Sequence, residues 1–382
     1  MMQTAAILWH VTLLVPPERR ALALGLVGLV RILPIVVFSM GAGVIADALD
    51  RRKLMLITQT VLTAITVVLA VLTFRGLSVV WPLYLLAALS SSAASFDAPA
   101  RQALVPNLVP REHLSNAISL NAIMIQVASV VGPSVGGLTI AHFGIGWVYV
   151  LNACSYSFVI GALVAMRGAN TRGGDRRGVT LGAMAEGLRF VFSAPLIRST
   201  MLLDFFATFF SSATALLPIF AQDILQVGAR GYGWLYAAPA AGAVVTSLAM
   251  VHYLDRIDRR GPVLLWAVGA YGLATAVFGM SRLFWLTFLC LALTGAADTV
   301  SMVFRNIVRH METPDALRGR MVGINMVFFR GGPQLGELEA GVVANWFGAP
   351  FSVITGGLAC IAATLVVAAR TPALRAYRRH ST

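Results

Sequence analysis

The chain has 382 residues, of which 58% are hydrophobic and only 12% are charged. Soluble globular proteins carry roughly 25% charged residues, so this chain has too little charge to solvate an ordinary surface. The composition excludes a disordered chain, a disulfide-stabilised secreted domain and almost any soluble enzyme of this length. It predicts a polytopic membrane protein.

The net charge of +13 arises from 29 basic and 16 acidic residues. The basic residues stand in short clusters between apolar runs, and they do not alternate with aromatic residues on one face, so no nucleic acid partner is expected. Cys154, Cys290 and Cys360 lie in separate apolar runs and offer neither a disulfide framework nor metal-ligand spacing. The sequence contains no GxxxxGK[ST] loop, so we expect no ATP and no cofactor.

Apolar runs predict eleven full membrane spans. Each is long enough to cross about 30 Å of hydrocarbon as a helix, the form in which a chain in lipid satisfies its own backbone hydrogen bonds. Residues 1–15 are apolar but shorter, and Pro16 and Pro17 follow them, so we interpret them as an incomplete first span. The full spans are expected at 21–46, 54–74, 79–97, 113–141, 146–166, 196–221, 232–253, 262–281, 283–309, 319–347 and 350–369.

The positions of the basic residues predict the orientation. If the span that ends near residue 46 emerges in the cytoplasm, most basic residues lie inside, including Arg305 and Arg309. The positive-inside rule then places the C-terminus in the cytoplasm. The basic residues expected outside are Arg19, Arg20, Arg75, Arg230 and Arg282.

A polar stretch near the middle divides the chain. The run RGANTRGGDRRG at 167–178 is rich in Gly and Arg and predicts a flexible cytoplasmic linker over 167–185. We therefore expect an N-terminal helical bundle over 1–166 and a C-terminal helical bundle over 186–372. A basic cytoplasmic tail would occupy 373–382.

The two halves share sequence patterns. The tripeptide ARQ at 100–102 is matched by FRN at 304–306, which is 204 positions later, and GPSVG at 132–136 is matched by GPQLG at 332–336. Recurrence of this kind indicates a duplicated bundle. Parallel repeats of six spans are one known plan of transporters, with a cavity between the halves.

Two segments carry a family resemblance. Residues 43–53 (GVIADALDRRK) resemble the signature loop of the major facilitator superfamily, through Gly43, Asp47, Asp50, Arg51 and Arg52. Residues 128–137 (ASVVGPSVGG) are similar to the antiporter motif of drug:proton exporters, through Gly132, Pro133, Gly136 and Gly137, although Ala128 replaces the first Gly. The runs at 96–117, 295–306 and 332–341 look like the enterobactin-exporter branch of that superfamily.

The resemblance implies an all-α integral membrane protein with the major facilitator fold, built from two pseudo-symmetric six-helix bundles. It implies a monomeric transporter, and not an enzyme, in the bacterial inner membrane. The expected activity is proton-coupled export of a hydrophobic or amphipathic small molecule, a siderophore or drug, by alternating access, with the proton gradient as the energy source. A truncated non-transporting protein and an importer or uniporter of the same fold are the alternatives.

The resemblance also implies a cytoplasmic latch. In the family, the signature loop holds the two halves together on the cytoplasmic side, and Asp97 at the end of span four is the natural partner of Arg51 and Arg52, with Arg101 one turn further on. The alternative is that the basic residues of the loop only fix orientation. For the motif in span five, the alternative to antiport is plain packing and bending.

A few ionisable residues lie inside predicted spans, where a charge costs about 2.5–3.5 kcal/mol on insertion scales. We expect proton coupling at one or more of the acidic members, and the alternative is a carboxylate neutralised by Arg or hydroxyl groups. Nearby phenylalanines suit either an aromatic substrate or lipid. The acidic residues are Asp204, Asp298, Glu337 and Glu339, and the phenylalanines are Phe205, Phe206, Phe209 and Phe210.

One pairing follows from depth. Arg31 in span two and Glu337 in span eleven each lie about ten residues, or about 15 Å, from the outer surface. Spans two and eleven adjoin in the superfamily fold. The sequence therefore predicts an ion pair between Arg31 and Glu337 (or Glu339) that acts as an external gate, and the alternative is a static pair within one half.

Overall fold

The computed structural model describes residues 1–48, 50–166 and 189–378, and the regular structure of this part of the chain is helical throughout. The predicted linker at 167–185 and the last residues of the tail lie outside the described residues. The helices are α1 (Met2–Leu14), α2 (Arg20–Ala48), α3 (Arg51–Phe74), α4 (Trp81–Leu108), α5 (Leu114–Phe143), α6 (Ile145–Ala165), α7 (Pro195–Phe210), α8 (Gly228–Tyr253), α9 (Arg260–Met280), α10 (Phe284–Met311), α11 (Asp315–Phe347), α12 (Ala349–Arg370) and the short α13 (Pro372–Arg375).

Nine stretches of the described residues are long and apolar enough to cross a bilayer. The count of eleven full spans is therefore not confirmed. Helices α4 and α11 have 28 and 33 residues, which is long enough, but both carry polar side chains along their length. Asp97 interrupts the apolar sequence of α4, and Glu337 and Glu339 interrupt that of α11; both helices are continuous at these residues. These two helices are polar because part of each faces the protein interior and not lipid.

The packing of the helices repeats between the halves. In the N-terminal half, α2 packs on α4, and α3 packs on α4 and α6; in the C-terminal half, α8 packs on α10, and α9 packs on α10 and α12. Helices α1 and α5 correspond in the same way to α7 and α11. The halves meet along α2 with α11 and along α5 with α8, which are equivalent pairs under the repeat.

Both contacts between the halves are built on glycine. A Cβ atom on Gly341 of α11 would lie 2.6 Å from the Cα of Gly25 in α2, and a Cβ on Gly137 of α5 would lie 2.7 Å from the Cα of Gly233 in α8. Only glycine permits backbones to approach so closely. The crossings lie within two turns of the end at which α2 and α8 begin, which we call the outer end after the predicted topology.

The helices that join the halves are also bent. An internal proline removes a backbone hydrogen bond and bends a helix, and α2, α5, α8 and α11 each contain one: Pro34, Pro133, Pro239 and Pro333. Helix α7 is broken after Phe210 and continues through 3₁₀ turns and a π-helical turn to Ile224. Pro218 stands in the first turn of the α-helical stretch Leu217–Ile219, where its missing N–H group is tolerated.

The segment that follows α12 packs against the inner ends of the C-terminal half. The Gly261 N–H at the start of α9 donates to the carbonyl oxygen of Tyr377 at 3.0 Å. A Cβ on Gly261 would collide with the carbonyl of Leu374, which is itself buried. The hydroxyl groups of Ser199 and Thr371 are 2.7 Å apart. This tail segment (residues 371–377) therefore contacts both α7 and α9.

Candidate functional site

The signature loop organises the start of α3. The side chain of Asp50 caps this helix by accepting hydrogen bonds from the backbone N–H groups of Arg52 and Lys53. The guanidinium of Arg52 donates to the carbonyl oxygens of Leu163 and Val164 at 2.6 and 2.9 Å, at the C-terminal end of α6. Arg52 thus stabilises the negative end of a helix dipole within its own half. The contacts of Gly43 and the side chain of Asp47 lie outside what the structure describes.

Asp97 has other partners than the expected one. Its carboxylate accepts hydrogen bonds from Thr58 at 3.0 Å and Gln59 at 2.9 Å, and it forms an ion pair with Arg101 at 2.7 Å. The expected pairing of Asp97 with Arg51 and Arg52 stays a prediction, and the described partners of Arg52 are elsewhere. The reason is local: Arg101 lies four residues after Asp97 on α4, where side chains meet directly, whereas Arg52 reaches the end of α6.

The glycine motif in α5 is a packing surface. A Cβ on Gly136 would lie 3.1 Å from the Cγ of Met2 in α1, and Gly132 faces the backbone of Met2 at 3.5 Å. Gly137 forms the crossing with Gly233, and Pro133 bends the helix between these contacts. Every glycine of the motif thus has a helix packed on it. The geometry gives the motif a role in helix packing, and an antiport role stays a prediction.

The predicted pair between the halves is present. The Nη1 atom of Arg31 lies 3.8 Å from Oε2 of Glu337, and the Arg31 side chain is 23% exposed. This is an ion contact without a hydrogen bond, since the Glu337 Oε2 atom has no hydrogen-bond partner among the described residues. A Cβ on Gly28 would lie 2.7 Å from the Cβ of Glu337, so the pair sits directly below the α2–α11 crossing. Glu339 has no ion pair with the described residues.

A second pair between the halves was missed. The Nη1 atom of Arg20, at the start of α2, donates to both carboxylate oxygens of Asp223, at 2.8 and 3.1 Å. Asp223 lies in the π-helical turn after α7. Sequence analysis counted Arg20 only as an outside positive charge. The available signal was that both residues flank predicted spans on the same side of the membrane.

An ionic cluster fills the space between α7 and α10, and we call it the C-half cluster. The carboxylate of Asp204 on α7 forms ion pairs with the guanidinium groups of Arg305 at 3.1 Å and Arg309 at 3.2 Å. Both arginines lie on α10. Arg305 also contacts Asp298 at 3.2 Å. Arg309 further donates to the carbonyl of Thr200 at 3.0 Å. The cluster has two positive and two negative side chains, so its formal charges cancel.

The C-half cluster joins residues that the sequence treated separately. Arg305 and Arg309, which the positive-inside rule assigns to an inner segment, are both almost completely buried. Two acidic residues that lie 94 positions apart in the sequence share Arg305, which no spacing rule reveals. In this structure Asp204 and Asp298 are both neutralised by arginine, as the alternative interpretation of buried carboxylates proposed. Their part in proton coupling stays a prediction.

The N-terminal half has an uncharged counterpart, which we call the N-half network. The side-chain oxygen of Gln3 accepts hydrogen bonds from Asn152 at 2.8 Å and Tyr156 at 3.2 Å, and its amide donates to Ser90 at 3.3 Å. His10 and the Tyr149 hydroxyl are 3.1 Å apart in the same half. Sequence analysis missed these groups because neutral polar residues barely change the hydropathy of a span.

The four phenylalanines of α7 form two stacks. The rings of Phe205 and Phe209 stack with centroids 5.6 Å apart, and those of Phe206 and Phe210 stack at 5.9 Å. All four are partly buried, so their faces remain available to a ligand or to lipid. Within the described residues, His, Cys, Asp and Glu form no group of three or more that could hold a metal ion.

Sequence comparisons find known proteins that are similar to this chain over most of its length. The sequence profile described as transmembrane secretion effector matches residues 1–381. The enterobactin exporter EntS of Escherichia coli O1:K1 / APEC is 30% identical over 285 residues, which cover 75% of this chain and 68% of the exporter. The enterobactin exporter EntS of Shigella boydii serotype 18 is equally similar over the same shares of the two chains.

Solved structures share the fold. A POT family transporter in complex with 5-aminolevulinic acid superposes with a TM-score of 0.75 at 11% identity, over 98% of this chain and 93% of the other. A bacterial homologue of the human lysosomal transporter Spinster, in an inward-facing and unoccupied conformation, gives 0.68 at 15% identity over 98% and 94%. A D-xylose–proton symporter gives 0.71 at 14% identity over 95% and 93%. At these identities the likeness establishes the fold alone.

Proposed function

Because this chain belongs to the transmembrane secretion effector family of the major facilitator superfamily, we propose that it exports a hydrophobic or amphipathic small molecule in exchange for protons, by alternating access between its two halves. The observation that carries the proposal is the C-half cluster, which buries titratable carboxylates beside arginines in the middle of a membrane bundle. Ionisable groups at that depth are costly and are retained where they move ions or substrates.

The substrate class rests on the relatives. The curated relatives named above are exporters of enterobactin, a siderophore. The stacked phenylalanines of α7 would suit planar aromatic rings in the cavity. A siderophore is therefore the first choice of substrate, and an amphipathic drug is the second.

Alternating access requires that the contacts at the outer end open and close. Two glycine crossings and two ion pairs, Arg31–Glu337 and Arg20–Asp223, join the halves there. Each ion pair connects one half to the other, so neither can persist when the outer end opens. We assign Arg31 and Glu337 to an external gate. Their 3.8 Å separation supports this role, because a contact without a hydrogen bond is inexpensive to break.

The inner end would be controlled by the signature loop. Asp50, Arg51 and Arg52 lie where α3 begins at that side, and Asp97 and Arg101 lie in the second half of α4, which ends at Leu108. In the conformation described here their described partners all belong to the N-terminal half. A latch to the C-terminal half would form only when the inner end closes, and Arg101 is exposed enough to change partners.

Proton coupling is assigned first to the C-half cluster. Asp298 and Asp204 carry the proposal, and Glu337 and Glu339 remain secondary candidates. We place the protein in the bacterial inner membrane as a monomer with a cytoplasmic C-terminus. The proton gradient is its energy source, without ATP.

The test is export of enterobactin from cells that lack their own exporter, with and without this protein. We expect the protein to raise the amount of enterobactin in the medium several-fold and a protonophore to abolish the gain. Everted membrane vesicles should show enterobactin uptake that depends on an imposed pH gradient. Equal export with and without the protein, or export that survives the protonophore, would reject the proposal.

A further inference from the structure

The two acidic residues of the C-half cluster share a single nitrogen atom. The Nη2 atom of Arg305 lies 3.1 Å from Oδ1 of Asp204 and 3.2 Å from Oδ1 of Asp298. The Arg305 side chain is only 2% exposed. A guanidinium has five N–H donors in a planar fork, and here two carboxylates compete for one arm of that fork.

The two carboxylates are held unequally. Asp204 is 3% exposed and also binds Arg309 at 3.2 Å, so it keeps an arginine partner when Arg305 moves. Asp298 is 41% exposed, and Arg305 is its ion-pair partner among the described residues. Asp298 stands seven residues before Arg305 on α10, which places both on one helix face. Of the two carboxylates, Asp298 is therefore the one that water can reach more easily.

The remaining donors of Arg305 are available for a second arrangement. Its Nε and Nη1 atoms are buried and have no hydrogen-bond partner among the described residues, and neither has Oδ1 of Asp204. Unsatisfied buried donors are costly. A small rotation of the guanidinium toward Asp204 would convert a single contact into a two-point pair, the stronger geometry for arginine and carboxylate.

From these contacts we infer that Asp298 is the proton-exchanging carboxylate of the transporter and that Arg305 is a positioning residue, which passes from Asp298 to Asp204 when Asp298 takes up a proton. The inference rests on the proposed proton coupling and names the residues that perform it. Asp204 and Arg309 stay paired and fix α7 to α10 throughout.

The proton step is a simple exchange. A hydronium ion in the cavity gives its proton to a carboxylate oxygen of Asp298 and leaves as water, while Arg305 keeps its charge. An O–H bond forms on Asp298, and its contact with the Arg305 N–H is released. When the cavity opens to the other side, water accepts the proton and Arg305 returns to Asp298. The net result is one proton moved per cycle.

The groups around Asp298 allow this exchange. Asp204 on α7 shares the Nη2 atom of Arg305 with Asp298, and Arg305 lies on the same helix as Asp298. Tyr271 on α9 is the further titratable group that interacts electrostatically with Asp298. Helix α8 contacts α10 closely at Gly295, where a Cβ would collide with the carbonyl of Pro239. Arg305 is therefore the cation whose position decides between the two states.

The first test needs no substrate. The purified full-length protein in lipid nanodiscs is acidified, and infrared difference spectra record the C=O band of a carboxylic acid. We expect Asp298→Asn to lose the part of this band that Asp298 contributes, while Glu18→Gln, a control at an exposed carboxylate with no assigned role, keeps the full band. Persistence of the full band in Asp298→Asn would overturn the inference, whatever the transport assays give.

The second test reads the position of Arg305. Spin labels at Arg198→Cys on α7 and Met311→Cys on α10, in a protein whose native cysteines are replaced by serine, report the distance between the helices. We expect a pH-dependent shift in the parent and no shift in Asp298→Asn. Arg305→Lys should keep the acid-induced infrared band but lose most of the distance shift, since an ammonium group has no fork. An unchanged shift in either variant would contradict the positioning role.

Transport separates this inference from the proposed function. In vesicles, Asp298→Asn should exchange enterobactin across the membrane at equal pH as the parent does, but should lose pH-driven accumulation. If the parent itself shows no pH-driven transport, the proposed function fails. If the parent is coupled and Asp298→Asn is equally coupled, only the inference fails.

Discussion

Arg101 and Arg305 occupy equivalent positions in the two halves, yet their side chains have different environments. Arg101 is 44% exposed and pairs with Asp97 on its own helix, whereas Arg305 is 2% exposed and pairs with Asp204 on another helix. The N-half network is uncharged, and the C-half cluster is ionic. The duplication thus preserved the helix scaffold, while the C-terminal half buries two arginines and the N-terminal half pairs the buried Asp97 with an exposed arginine.

This difference suggests a division of labour. Hydrogen bonds between neutral groups change little with pH, so we expect the packing around the N-half network to stay the same when the pH changes. Charges that share one arginine respond to a single proton. The half that carries the C-half cluster is therefore the half in which proton binding would change helix packing.

The largest expected effect comes from removing the arginine of the C-half cluster. Arg305→Ala removes the cation that contacts Asp298 and one of the two arginines that contact the buried Asp204, and breaking a buried pair costs about 3–5 kcal/mol. Arg101→Ala, the equivalent change in the N-terminal half, should cost about 1 kcal/mol or less, because Arg101 is 44% exposed and Asp97 keeps its hydrogen bonds from Thr58 and Gln59. Free energies of unfolding measured by steric trapping in bicelles compare the two. Equal losses would refute the contrast between the halves.

The second largest effect is expected from a large side chain placed at a glycine crossing. Gly341→Leu inserts atoms where the Cα of Gly25 already lies, and overpacking of this kind costs about 1–3 kcal/mol. Because the crossing closes the outer end, we also expect faster labelling of an outer-end cysteine by a membrane-impermeant maleimide. Gly161→Leu is the control, since a Cβ there meets open space. Unchanged labelling in Gly341→Leu would show that the crossing does not seal the outer end.

The N-half network should be less sensitive than the C-half cluster. Gln3→Leu leaves Asn152 and Ser90 without their side-chain partner, and an unsatisfied buried group costs about 1–2 kcal/mol. A neutral group carries no unpaired charge, so the loss should stay below that of Arg305→Ala in the same unfolding assay. Gln3→Glu is the sharper variant, because it adds a charge to an uncharged network. A larger loss in Gln3→Leu than in Arg305→Ala would reverse the ranking.

The smallest effect is expected at the interface between the halves. Arg31→Ala removes a contact that is partly exposed and lacks a hydrogen bond, so stability should fall by about 1 kcal/mol or less. Its effect should be visible instead as faster maleimide labelling at the outer end. The exchanged double variant Arg31→Glu with Glu337→Arg should restore the parent rate. Failure of the exchange to restore it would indicate that the two charges do not act as a gate.

The sequence predicted the parts of the molecule that follow from regular spacing. Arg31 and Glu337 were paired by counting turns from the outer surface, because depth in a helix is proportional to residue number. The repeat located equivalent positions such as Arg101 and Arg305. Asp50 and Arg52 were recognised as part of a motif, but their partners were not, since these depend on where α6 ends.

Other parts depended on packing between distant segments. The partners of Arg305 and Arg309 were not predicted, because charge counting cannot distinguish a loop arginine from one that contacts a buried Asp204. Gln3 and His10 were invisible in an apolar run. The glycine crossings were not predicted either, although Gly132–Gly137 marked one helix of a crossing, because a sequence does not say which backbone approaches a glycine.

The docking of the tail segment has a practical consequence for anyone who modifies the protein. Leu374 and Tyr377 fill space beside Gly261, so a deletion that starts before residue 372 would uncover the beginning of α9 and loosen its attachment to the bundle. A reporter or affinity tag is best joined after Arg378, where the last described turn has already docked. Shortened versions made to aid crystallisation should keep this segment intact.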